Sequence, residues 1–184
     1  FVTQFIRELR AGLAADGLGR LPVHVRVAPQ RFLHDGADLE ALLDEAKRRP
    51  FSGAVLELGR MSIFATDAEL AGWAREQRVE LAPVERVELS HGPRLAELRC
   101  LSDVTFFRRL GFSTVETMDV SDWEKPDRVW DLNRPVPEAW RGRYDCVFES
   151  GTIQHVFHTP NVLANVHALL APGGRSPCAA LDEI

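Results

Sequence analysis

The order of apolar and polar positions divides the chain into short elements. Residues 1–16 carry Phe1, Val2, Phe5, Ile6, Leu9, Leu13 and Ala14 at helical spacing before Gly17 and Gly19, which predicts an amphipathic helix. VHVRV at 23–27 alternates as a half-buried strand does. Between Asp38 and Arg49, Leu39, Leu42, Leu43 and Ala46 recur on one helical face, and Pro50 stops the pattern. Residues 1–50 are therefore expected to form a helical cap or extension with one strand.

From Phe51 the texture changes. FSGAVLELG at 51–59 is a compact apolar run closed by glycine, the pattern of a strand covered on both faces in a parallel sheet. Thr66 stands before Leu70, Ala71, Trp73 and Ala74 and predicts a capped helix, whereas 78–100 mixes Glu, Arg, Pro and His without a clear period. Order returns with VTFFRRLGF at 104–112, a helix stopped by Gly111, and STVETMD at 113–119, a strand. RVWDLN at 128–133 reads as a short strand or extended segment, and YDCVFES at 144–150 as a further apolar strand. PNVLANVHALL at 160–170 opens with proline and aligns Val162, Leu163, Val166 and Leu169 before APGG breaks it. Strands alternating with helices predict an α/β fold: a doubly wound, mostly parallel sheet with helices on both faces. RSPCAALDEI, after Gly174, lacks the β-branched run of a closing strand, so the sheet is expected to be incomplete on its C-terminal side. A chain that starts at Phe1 rather than Met reads as a fragment or processed product.

Composition narrows the function classes. With 184 residues, 45% hydrophobic and 27% charged, the chain can build one sizeable core. Its 22 basic and 27 acidic residues give a net charge of −5 with no basic stretch, so neither nucleic acid nor an anionic membrane is the expected partner. Cys100, Cys146 and Cys178 are odd in number and lack CxxC spacing, which indicates neither a disulfide framework nor a zinc cluster; a reducing cytoplasm is the expected compartment. No run approaches the ~18 apolar residues of a membrane span, and Arg7, Glu8 and Arg10 fall where a signal peptide is apolar.

Ligands of open α/β sheets bind beyond the carboxyl ends of the strands, so the residues closing each predicted strand are the ones to inspect. They are Glu57 and Gly59, Asp119, Asp131 to Asn133, and Glu149 to Gln154. A carboxylate ending the second strand can accept from both hydroxyls of a ribose, which implies a nucleoside or nucleotide ligand.

In the order of these parts, residues 51–174 resemble the class I S-adenosylmethionine-dependent methyltransferases. VLELG at 55–59 is similar to the family's opening strand, VETMD at 115–119 to its acid-ended second strand, and DLN at 131–133 to its adenine-side segment. RYDCVFESGTIQHVF at 143–157 resembles the fourth strand with its following loop, and ALLAPGG at 168–174 the turn that leads to the fifth. The resemblance implies a Rossmann-like fold and S-adenosylmethionine as cofactor, held by Glu57, Gly59, Asp119, Asp131, Leu132, Asn133, Glu149 and Gly151. It places Gln154 and His155 toward the methyl acceptor, for which the acidity of the chain suggests a small molecule or sugar-like metabolite. His155 is the candidate base because its ordinary pKa lies near neutrality, with Gln154 and Thr152 placed to orient the acceptor or the methionine moiety. Phe148 and Phe157 are either core or an aromatic face beside the sulfonium. Two departures stand out. The family's GxGxG is here Gly59-Arg60-Met61-Ser62-Ile63, with one glycine. Asp119 also lies much farther from Gly59 than the ~20 residues of a conventional unit, which would fall near Glu80, so 60–101 is treated as an insertion. The resulting division is an extension over 1–50 and a partial methyltransferase domain over 51–184.

Plainer roles compete with each of these. Asp119 can cap the turn that begins at SDWE, and Asp131 sits in good turn chemistry at DLNRP. Glu57 and Glu149, if buried, need a polar partner, which a ligand amine or a salt bridge supplies equally well. His155, His158 and His167 suggest a metal, but no cysteine or carboxylate completes a set, so no metal is expected. The tryptophans at 73, 123, 130 and 140 read as packing or pocket walls, and Arg48, Arg49, Arg108 and Arg109 as solvated helix faces. The rival function is a non-catalytic methyltransferase-like binding or assembly module, suggested by the lost glycine loop and the missing final strands. A nicotinamide-dependent enzyme is disfavoured by the absence of GxGxxG. Oligomeric state is not legible.

Overall fold

A computed structural model of the chain describes residues 36–149 and 151–177. The expected helix at 1–16, the strand at 23–27 and residues 178–184 lie outside the described residues. Those described belong to the unit Arg31–Ile184.

Helix α1 (Gly36–Arg48) leads into strand β1 (Ala54–Leu58). Helix α2 (Asp67–Gln77) starts in a capping box, in which the Thr66 hydroxyl accepts from the Glu69 amide and the Glu69 carboxylate accepts from the Thr66 amide. The stretch without a clear period contains one short helix, α3 (Pro93–Glu97). Helix α4 (Asp103–Leu110), capped by Ser102 and ended by left-handed Gly111, feeds strand β2 (Thr114–Asp119). Strand β3 (Arg128–Val129), strand β4 (Tyr144–Glu149), helix α5 (Thr159–Leu169) and strand β5 (Leu170–Arg175) complete the order.

The five strands form one parallel sheet in the order β3-β2-β1-β4-β5. This is the Rossmann-like arrangement expected. The strand order reverses between β1 and β4, and chain leaving these two strands goes to opposite faces. On one face α1, α2 and α4 cover Val55, Cys146 and Phe148 with Leu43, Leu70, Phe106 and Phe107. On the other, α5 packs Val162, Val166 and Leu169 against Leu56, Leu58, Met118 and Val147. Cys100 and Cys146 are buried free thiols, and burial pushes Cys146 up to about 12, which keeps it protonated. Among the described residues no helix is long and apolar enough to cross a membrane.

Two sequence expectations are corrected. The fifth strand needs no β-branched run after Gly174, because it is drawn from LAPGGR itself, pairing Tyr144 with Leu170 and Cys146 with Arg175 across a register slip. It sits at the sheet edge, where Pro172 is tolerated, and a side chain anchors its end. Arg175 pairs with Glu45 at 2.6 Å, donates to the Arg49 and Pro50 carbonyls, and lies 4.1 Å over the Phe51 ring. Likewise Arg109 is no solvated helix face: its guanidinium joins Asp67 to the Ala82 carbonyl, and its own carbonyl accepts from the Ala82 amide. Arg49 donates to the Gly173 carbonyl while staying exposed, and Arg48, paired with half-buried Asp44, and Arg108 are exposed as expected.

Candidate functional site

The crevice at the reversal of strand order is built from the ends of β1, β2 and β4. Gly59, just past β1, has φ +74, and its amide donates to the Met118 carbonyl at 2.8 Å, which extends the β1–β2 ladder by one residue. A Cβ there would lie 2.7 Å from the Thr152 hydroxyl, which donates to the Leu58 carbonyl at 2.6 Å. The loop behind β4 therefore closes against the turn behind β1, and one glycine suffices for that close approach. The rest of the turn is anchored inward, with Ile63 buried and Met61 packed on the core.

Glu57 lies inside the protein rather than at the surface of the crevice. Its Oε1 accepts from the Met61 amide, and its carboxyl faces Asp103 at the start of α4. Read as two carboxylates, Glu57 Oε2 and both Asp103 oxygens have no donor, and Arg60 approaches Asp103 only to 3.5 Å. A proton on Glu57 supplies a hydrogen bond between the two side chains. Burial, then the neighbouring Asp103, accordingly pushes Glu57 well above the ordinary carboxylate range.

Asp119 closes β2, whose residues pair in register with β1 from Ala54 to Leu58, while exposed Glu80 falls in the irregular stretch after α2. The half-buried Asp119 accepts from the amide and hydroxyl of Ser121, both through Oδ1, so it does form the turn that the plainer reading expects. Nearby Glu124 is pushed up by desolvation and then by Asp119, with His91 and Arg60 opposing.

The adenine-side segment is held by its own side chains. Asp131 Oδ1 accepts from the amide and side chain of Asn133, and Leu132 is buried in the core beneath α5. Asn133 Oδ1 accepts from the His158 amide at 2.9 Å, which joins this segment to the loop behind β4. In that loop buried Glu149 accepts from the Gly151 and Ile153 amides, Gly151 has φ +101, and Gln154 and His155 stand exposed on the 3₁₀ turn Ile153–His155. His158 caps α5 through Nδ1.

Of the aromatic candidates, Phe148 is core, edge-on to Phe107 at 5.4 Å, whereas Phe157 is exposed. Trp130 and Trp140 pack against each other at 5.5 Å; Trp123, four residues past Asp119, is 81% exposed. Sequence reasoning missed Asp103, Arg60 and Asn165. Asn165 breaks the apolar face of α5 between Val162 and Val166, and that interruption is the signal that marks it.

No family model and no curated protein matches the chain. Among solved structures, a candidate S-adenosyl-L-methionine-dependent methyltransferase from Methanococcus maripaludis has 9% identity and a TM-score of 0.41, over 78% of this chain and 55% of that one. The trans-methyltransferase CalH, solved in complex with SAH, has 19% identity and a TM-score of 0.39, over 77% of this chain and 37% of its own. The chain thus spans a little over half the length of the first and well under half of the second.

Proposed function

We propose that the chain carries the cofactor-binding core of a class I S-adenosylmethionine-dependent methyltransferase with a small-molecule acceptor. The observation that carries this reading is the juxtaposition at the reversal point. The tight Gly59 turn ends β1, Asp119 ends the adjacent parallel strand, and the Glu149–His155 loop rises from β4 on the other side. That is where an open sheet of this order receives a nucleoside.

The residues present fit an adenosyl group in kind: a carboxylate for the ribose hydroxyls and a backbone turn that allows close approach. When bound, the cofactor supplies an electrophilic methyl on sulfur. The chain's task is then to align the reactants for in-line displacement, an effect that reaches ~7–11 kcal/mol in favourable cases. In this reading Asp119 takes the ribose, the exposed Gln154 orients the acceptor, and His155 removes a proton from an acceptor that arrives protonated.

A specific observation favours the second reading, a non-catalytic binding or assembly module. Asp119, Asp131, Asn133 and Glu149 each have partners within the protein, and the Thr152 hydroxyl is already bonded to the end of β1. Calorimetric titration with S-adenosylmethionine, S-adenosylhomocysteine and NADH separates the two. Saturable binding of the first two alone supports the enzyme reading; absence of binding by all three supports the module.

A further inference from the structure

Asn165 is 3% exposed on α5, among apolar neighbours, and its three side-chain hydrogen bonds all go to one loop. Its Nδ2 donates to the Leu132 carbonyl at 3.0 Å and to the Arg134 carbonyl at 2.8 Å, while its Oδ1 accepts from the Val136 amide at 2.9 Å. A helix side chain therefore replaces the missing strand pairing of the segment that follows the very short β3. That segment in turn holds Asn133, whose Oδ1 accepts from the His158 amide and whose carbonyl accepts from Asn161 Nδ2 at 2.6 Å. The loop behind β3 is thus tied to α5 by Asn165 and Asn161, and by Asn133 to His158 at the end of the loop behind β4.

We propose that Asn165 is a positioning residue that, through Asn133, couples the loop behind β3 to the end of the loop behind β4, so that loss of its bonds loosens both. Its significance for cofactor binding rests on the methyltransferase reading; the mechanical coupling does not. A polar side chain satisfied at three points inside an apolar layer is costly to leave half-bonded, so the arrangement has one well-defined geometry.

Amide hydrogen exchange on the full chain tests this at two reporters, the Val136 amide bonded to Asn165 and the His158 amide bonded to Asn133. Asn165→Ala is expected to lower protection about tenfold or more at both, given three lost bonds, with β1 and β4 unchanged. Asn133→Ala, at an exposed position, is expected to free His158 while Val136 keeps its protection. The proposal is overturned if His158 stays protected in either variant, or if Asn165→Ala reduces protection in β1 and β4 by the same factor. Added S-adenosylmethionine should protect both reporters together in the native chain. If it binds without doing so, the coupling is wrong; if it does not bind, the methyltransferase reading fails while the ligand-free result still decides the coupling.

Discussion

Replacing Glu57 with glutamine should make the protein more stable as pH rises. In the native chain Glu57 is fully buried, with Oε1 on the Met61 amide and its other oxygen toward Asp103, and it stays protonated well above its ordinary value of 4.5. The unfolded chain ionises near that value. Between it and the folded-state value the unfolded state has lost a proton that the native state keeps, so stability falls by about 1.4 kcal/mol per pH unit from this group alone. Glutamine keeps the acceptor for Met61, presents an N–H toward Asp103, and carries no such penalty. Urea unfolding at a series of pH values above the ordinary carboxylate range should therefore show a Glu57→Gln advantage that widens with pH until the native group ionises. Asp103→Asn, which removes the neighbouring like charge, should shorten the pH range of that decline. Parallel stability profiles for the native and Glu57→Gln chains would refute the raised Glu57 ionisation.

Gly59→Ala should destabilise by about 1–2 kcal/mol in urea unfolding, because φ +74 disfavours a side chain and the new Cβ meets Thr152 Oγ1. A Thr152→Ala background should recover part of that loss. Thr66→Ala should cost about 1 kcal/mol through loss of the capping box, read from the same transition. Arg175→Leu should cost about 1–3 kcal/mol, since a partly exposed ion pair, two carbonyl contacts and the Phe51 stacking disappear together. Exchange at β5 should rise before exchange at β1; equal rises would show that Arg175 does not anchor the edge.

The elements with strong periodicity were legible: β1 in a continuous apolar run, α2 behind its Thr66 cap, α4 before Gly111, and α5 in its apolar stripe. What escaped was fixed by contacts distant in sequence. Nothing in LAPGGR announces a strand, because its place depends on Arg175 reaching Glu45 and the Arg49 carbonyl. Arg109 looked solvated because Asp67 and Ala82 come to it only in the fold. Candidate positions around the crevice could be read from strand ends, which the topology places at one edge of the sheet. The turns at Asp119 and Asp131 were also legible in SDWE and DLNRP, but the bond from the His158 amide to Asn133 and those from the Gly151 and Ile153 amides to Glu149 were not, since loop-to-loop bonds leave no period. Asn165 was visible as a polar break in an apolar face, but its purpose depends on a loop some thirty residues earlier.

The most direct test of the central claim is amide NMR of the labelled chain during titration with S-adenosylhomocysteine. The account predicts saturable shifts concentrated at Gly59 to Met61, Asp119 to Ser121, Asp131 to Asn133 and Gly151 to His155, abolished or strongly weakened by Asp119→Ala. Shifts centred elsewhere, or none at millimolar ligand in a chain whose spectrum is folded, would contradict it.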